Sequence, residues 1–339
     1  MGLLVLAIAL ITLWGVRYSP DKDTFLSQQE AVFFRGFWCI IVVLVHVQEA
    51  YQNRIQDMIS SFGFIGVTFF FLTSGFGIKY SISHKEGYMR HFWENRLPGL
   101  IVPAFFISVL IVVTQVILNN PGVIPQMLYN SLCWLIVLLV CYFVFWVVYF
   151  VIPTVIKLSA GAWQDVAICL IMIAFSLIDR FTDIKITLIW IVEPLGFAYG
   201  IIAAGYSEKI KKWIAEKWLF KTIVLLVLSG VFGLMYLKFK SVPVLGDYVI
   251  KIILGMAITM FIFQAVGKIK VGNKANSFLG NISYEIFLAH GYVLTMFEPL
   301  FKGISDPSGP YIVSSLIVIV IIAAIINRLS KPVIKKLRH

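Results

Sequence analysis

Apolar stretches close to membrane-crossing length recur along the whole chain, separated by short loops. They fall near residues 2–16, 31–49, 62–79, 97–118, 131–152, 165–178, 187–206, 219–237, 247–266, 277–296 and 310–327. A hydrocarbon core about 30 Å thick needs roughly 20 apolar residues in a helix. Because lipid offers no water, every backbone polar group inside it must be paired within the protein, which only helices or a closed barrel achieve. These runs are too long and continuous to alternate as barrel strands do. The sequence therefore predicts an all-α, polytopic membrane protein of about eleven transmembrane helices. The shorter runs need partner packing or local thinning of the bilayer. Composition agrees, with 60% hydrophobic and 13% charged residues, unlike an ordinary soluble domain.

Loop charge predicts an orientation. Lys79, Lys85, Arg90 and Arg96 lie in 79–96, and Lys209, Lys211, Lys212, Lys217 and Lys221 in 207–221. Lys268, Lys270 and Lys274 follow in 267–276, then Lys331, Lys335, Lys336 and Arg338 in the tail. With eleven spans all four groups fall on one side, which the positive-inside rule makes cytoplasmic. The N-terminus is then outside and the C-terminus inside. Lys238, Lys240 and Lys251 fall on the opposite side, with no account beyond snorkelling at helix ends.

The net charge of +11 reads as this loop bias. No basic stripe lies on a soluble segment, so no nucleic-acid partner is expected. Cys39, Cys133, Cys141 and Cys169 all sit in apolar runs without disulfide or zinc spacing, and read as small buried hydrophobes. No metal site is expected from five scattered histidines. Residues 2–16 lack a basic n-region and a small-residue cleavage site, so a retained first span is expected.

Within the second run, RGFWCIIVVLVH places Arg35 eleven residues before His46. On a helix that step is about 16 Å and nearly a whole number of turns. Arg35 and His46 would share one face, with the arginine near the cytoplasmic surface and the imidazole in the outer half.

Five blocks in order resemble the acyltransferase-3 family of integral membrane acyltransferases. Arg35-Gly36 with His46 match its Arg/Lys-x10-His pattern, and GVTFFFLTSGFGIKYS (66–81) its glycine- and phenylalanine-rich helix. ENRLPGLIVPAF (94–105) is similar to its basic-then-proline helix start, CWLIVLLVCYF (133–143) to its mid-chain tryptophan helix, and LGNISYEIFLAH (279–290) to its late histidine helix. The resemblance implies an extra N-terminal helix and loop at 1–30, an acyltransferase membrane domain at 31–328 and a basic cytoplasmic tail at 329–339. It implies an enzyme of polysaccharide O-acetyltransferase type in the plasma membrane. Acetyl-CoA or another acyl-CoA would be the donor, and a hydroxyl of an extracytoplasmic or lipid-linked glycan the acceptor. Relatives often carry Arg-x-x-Arg before the proline helix; here Arg96 fits the first place and Gly99 stands at the second.

Acyl transfer from a thioester to an alcohol needs a base, an oxyanion donor and a grip on the CoA phosphates. His46 suits the base, since imidazole titrates near neutrality. Glu49, three residues on, is a candidate to orient it. Arg35 is expected to bind the CoA end or polarise the thioester. Arg96, Arg90, Lys85 and Lys79 offer charge for phosphates, with arginine able to bind bidentately. In the late helix Ser283 and His290 are two turns apart and share a face, while Tyr284 and Glu285 are expected to face elsewhere. His290, Ser283 and Glu193, the last expected in an apolar helix before Pro194, are candidates for acceptor binding. Ser74-Gly75 lacks a nucleophile elbow and reads as close helix packing.

Two other readings fit the same residues. In a proton-coupled transporter or lipid-linked sugar flippase, Arg35, His46, Glu193 and His290 would be proton or substrate sites. In a catalytically lapsed sensor, the missing second arginine would mark lost donor binding. Nothing in the sequence sets the oligomeric state, and a homodimer is compatible with it.

Overall fold

The computed structural model describes residues 2–22, 24–157, 159–305 and 307–338, without the side chains of Leu3 and Leu4. Fifteen α-helices run through them: α1 (Gly2–Leu13), α2 (Gln28–Val45), α3 (Arg54–Ser60), α4 (Gly63–His84), α5 (Phe92–Ile117), α6 (Ile124–Trp146), α7 (Ile152–Ile156), α8 (Ala162–Phe181), α9 (Leu195–Gly205), α10 (Ser207–Ala215), α11 (Trp218–Phe239), α12 (Lys251–Val266), α13 (Lys274–Asn281), α14 (Ser283–Phe297) and α15 (Ser308–Leu337). The strands are β1 (Arg17–Tyr18) and β2 (Ile269–Lys270), an antiparallel pair that ties the loop before α2 to the loop after α12.

Among the described residues, eight helical stretches are long and apolar enough to cross a membrane. Each falls on a predicted run. The other three runs hold the shorter helices α1, α9 and α14, of 12, 11 and 15 residues. The protein is an all-α polytopic membrane protein. Helix α4 is mostly buried, whereas almost none of the apolar length of α11 is buried, as suits a lipid-facing helix.

Small residues set the central contacts. A Cβ on Gly200 of α9 would lie 2.0 Å from the Leu72 carbonyl oxygen of α4, and one on Gly75 of α4 would lie 2.2 Å from the Phe197 carbonyl oxygen of α9. The two backbones touch because neither glycine has a side chain, which is how helices approach closely in lipid. Ser74-Gly75 therefore marks a packing site, as its sequence suggests.

The run at 187–206 is only half helical. Residues 182–194 form an irregular segment before α9, with Leu188 at a φ of 57°. Buried Asp179 accepts hydrogen bonds from the Ile186 and Thr187 amides, at 2.5 and 2.7 Å, and also from the Thr187 hydroxyl. Backbone groups that leave the helical ladder, such as the amide of buried Thr187, need such partners. Glu193 lies in this segment rather than in a helix, because Pro194 disfavours helix at the residue before it.

All four cation-rich segments gather at one end of the bundle. Lys79 meets Asp165 at the start of α8, and Gly205 sits against both. Gln264 at the end of α12 bonds the Ile214 and Trp218 carbonyls. Lys22 bonds the Val266 carbonyl, and Gly99 of α5 touches Arg338 beyond α15.

Candidate active site

Helix α2 begins earlier than its apolar run. Ser27 and Glu30 form a capping box: the Ser27 hydroxyl accepts from the Glu30 amide at 3.3 Å, and the Glu30 carboxylate accepts from the Ser27 amide at 2.8 Å. Two orphan donors of the first turn are thereby satisfied. Glu30 also pairs with Lys22. Starting at Gln28 puts Arg35 about two turns inside the helix, deeper than the sequence suggested. Gly36 lets α13 cross against α2, since a Cβ there would lie 2.2 Å from the Asn276 carbonyl oxygen.

Arg35 opens onto a cavity of about 680 Å³ at the basic end. Its wall includes Phe70 and Ser74 from α4, Arg96 and Gly99 from α5, Trp134 and Tyr142 from α6, Ser283, Tyr284 and Glu285 from α14, and Asn327, Lys331 and Lys335 from α15. Arg35 Nε and Trp134 Nε1 are buried there without a hydrogen-bond partner. Buried donors are nearly always paired, so two orphans in one wall suit a ligand carrying acceptor oxygens. Glu285 accepts from Asn327 Nδ2 at 2.8 Å. A second cavity of about 670 Å³, lined by Lys85, His91 and Asn95 among others, shares Arg96 and Arg338 with the first.

At the far end of α2, His46 is the C-cap residue, its amide donating to the Val43 carbonyl at 3.1 Å. Its ring Nδ1 lies 2.9 Å from the Val42 carbonyl oxygen. A carbonyl only accepts, so the neutral ring carries its proton on Nδ1 and keeps a lone pair on Nε2. Against it, at 4.6 Å between ring centroids and 66° between planes, packs His290 of α14. His290 Nδ1 is held in the same way, 2.7 Å from the Phe287 carbonyl oxygen. His46 is exposed and His290 is buried.

Helices α2 and α14 run parallel, so the Arg35 cavity and the histidine pair lie at opposite ends of one seam. Aromatic rings join them. Phe70 and Trp134 of the cavity wall contact Phe287 at 4.4 and 5.3 Å between centroids, and Phe287 contacts His290 at 6.0 Å.

The other sequence candidates divide. Arg96 and Lys85 line the basic cavities, but neither Arg90 nor Lys79 does. Lys79 is committed to Asp165 at 2.9 Å and to the Tyr149 hydroxyl at 2.9 Å. Glu49 lies in a short 3-10 turn beyond the helix, and the Val42 carbonyl, not Glu49, orients His46. Ser283 sits at the Arg35 end, its hydroxyl donating to the Gly280 carbonyl at 2.8 Å. Tyr284 and Glu285 do not face elsewhere: all three residues line the cavity because α14 begins there. Glu193 is buried and paired with Lys251 at 2.6 Å, and Lys240 donates to the Ser61 hydroxyl at 2.8 Å. Two of the three lysines that contradicted the loop-charge pattern are thus held by partners within the bundle.

Sequence reasoning missed Trp134 as an orphan donor, the aromatic wall and the contribution of α15. A tryptophan among apolar residues carries no sign of an unpaired N–H, and contacts 40 or more residues apart leave no periodic trace. Among the described residues, no group of three or more His, Cys, Asp or Glu side chains gathers as metal ligands would.

A family model described as an acyltransferase domain matches residues 33–328, from the first turns of α2 to about two-thirds of the way along α15. No curated protein matches the chain, and no solved structure does. The match takes in Arg35 and most of its cavity wall, though not Lys331, Lys335 or Arg338, together with the histidine pair and the aromatic rings between them; the chain belongs to the acyltransferase-3 family of membrane acyltransferases.

Proposed function

We propose that this membrane acyltransferase moves an acetyl or similar acyl group from acyl-CoA to a hydroxyl of an extracytoplasmic or lipid-linked glycan. The basic end faces the cytoplasm, in keeping with the positive-inside rule, and the protein resides in the plasma membrane. Residues 1–30 precede the catalytic membrane domain, and the basic tail follows it. The reading rests above all on one observation: Arg35 in a basic cavity and the His46–His290 pair lie at opposite ends of one helical seam.

The nucleotide end of the donor occupies the basic cavities, where guanidinium groups complement phosphate oxygens. Its slim arm follows α2 past Phe70, Trp134 and Phe287, and its thioester stops beside His46. Arg35 Nε and Trp134 Nε1 donate to carbonyl oxygens of that arm. The acceptor comes from the opposite end, where His46 is exposed. His46 Nε2 takes the hydroxyl proton as the oxygen attacks the thioester carbon. The tetrahedral intermediate collapses with loss of the C–S bond, and the imidazolium proton passes to the thiolate, leaving an ester and free CoA.

The test is purified protein in detergent with labelled acetyl-CoA and a set of glycan acceptors. Label should appear as an alkali-labile ester on the glycan, and His46→Ala should lose it. Wild-type turnover in His46→Ala would remove the proposed base, and substrate movement without any CoA dependence would favour a transporter.

A further inference from the structure

We propose that Arg338 completes a phosphate clamp with Arg96 at the neck between the two basic cavities, a role that rests on the acyl-CoA reading of the site. Both residues line both cavities, so the neck is flanked by two guanidinium groups. Neither forms an ion pair with a carboxylate among the described residues. Arg96 Nε bonds only the neutral Tyr88 hydroxyl. Lys331 and Lys335 add two more cations on the inner side. Glu285 and Glu86 are the acids in the walls, and Glu285 is hydrogen-bonded to Asn327. The cations outnumber these two acids, and like charges held close are unfavourable until an anion enters between them; two guanidinium forks suit a doubly charged phosphate group.

Gly99 leaves room for this placement. A Cβ at residue 99 would lie 2.7 Å from Arg338 Nη2. The guanidinium therefore fills the space where a side chain at 99 would begin, one turn from Arg96 on α5. The end of α15 supplies the second arginine of the neck, while α5 keeps a glycine to admit it. Arg338 is itself exposed, so removing its side chain leaves the helical core untouched.

The experiment is CoA binding to the full-length protein in detergent, followed calorimetrically at fixed and then rising salt. Arg338→Ala should weaken CoA binding about tenfold or more, as loss of a charge-assisted phosphate contact does, and flatten the salt dependence. Adding Gly99→Arg to Arg338→Ala returns a guanidinium to the neck from the other helix, and should recover most of the affinity. Unchanged binding by Arg338→Ala, with wild type binding CoA, overturns the clamp and leaves the donor reading standing. Failure of the double variant to recover, at an unchanged melting temperature, also overturns it. Absence of CoA binding by the wild type removes the clamp and the donor reading together.

Discussion

His46 and His290 meet edge to face, 4.6 Å between ring centroids, each with Nδ1 turned back to a carbonyl of its own helix. The arrangement fixes both tautomers without any carboxylate. Under the proposed mechanism the two rings do different work: the exposed one would reach substrate, and the buried one would support it. His46→Ala should lower kcat at least about a hundredfold, within the range for loss of a general base. His290→Ala should lower kcat about tenfold, a modest support effect, with the donor KM unchanged. A raised donor KM at intact kcat would instead put His290 in donor binding.

Trp134 keeps its indole N–H buried with no partner in the wall that Arg35 shares. If a donor carbonyl accepts from it, Trp134→Phe should raise the donor KM about fivefold, the worth of one neutral hydrogen bond. Binding of the acceptor should not change. Steady-state kinetics with each substrate varied in turn decide it, and an acceptor KM effect alone would place the indole on the wrong substrate.

Glu193 and Lys251 form a buried pair at the histidine end, 2.6 Å apart and mostly shielded from solvent. Removing one partner strands the other, which typically costs about 3–5 kcal/mol. Glu193→Gln and Lys251→Met should each lower the melting temperature markedly in detergent, and the double variant should recover most of the loss. Full stability in Glu193→Gln would show that the carboxylate is not needed as a counter-ion and would return it to the acceptor-binding candidates.

Much of this fold was legible because apolar length and loop charge are local properties. Each of the eleven runs holds a helix, although 187–206 is helical only from Leu195, and Ser74-Gly75 was readable as a close crossing. The capping box that starts α2 was present as Ser27-x-x-Glu30 but hidden beneath the apolar count, so Arg35 was placed too near the helix end. The partners of Lys79, Lys251 and Glu285 lie 86, 58 and 42 residues away in the chain, and no spacing rule reaches that far. Glu49 failed as an orienter for a simpler reason. The helix stops at Val45, so an i, i+3 argument that carries it past His46 no longer holds.

Two glycines separate a packing requirement from mere helix breaking. A Cβ on Gly200 would lie 2.0 Å from the Leu72 oxygen and 2.6 Å from the Phe76 amide nitrogen, both backbone atoms of α4. A Cβ on Gly77, within α4, would meet nothing within 4 Å. Gly200→Ala must push α4 and α9 apart, and the overpacking should cost about 3 kcal/mol or more. Gly77→Ala should be neutral or stabilise by up to about 1 kcal/mol, since alanine loses less entropy in a helix. Thermal unfolding of the two variants in one detergent reads the difference. Because α4 also contributes Phe70 to the cavity wall, Gly200→Ala protein that still folds should also bind CoA more weakly than Gly77→Ala protein. Equal stability of the two variants would mean that the helices are not in backbone contact.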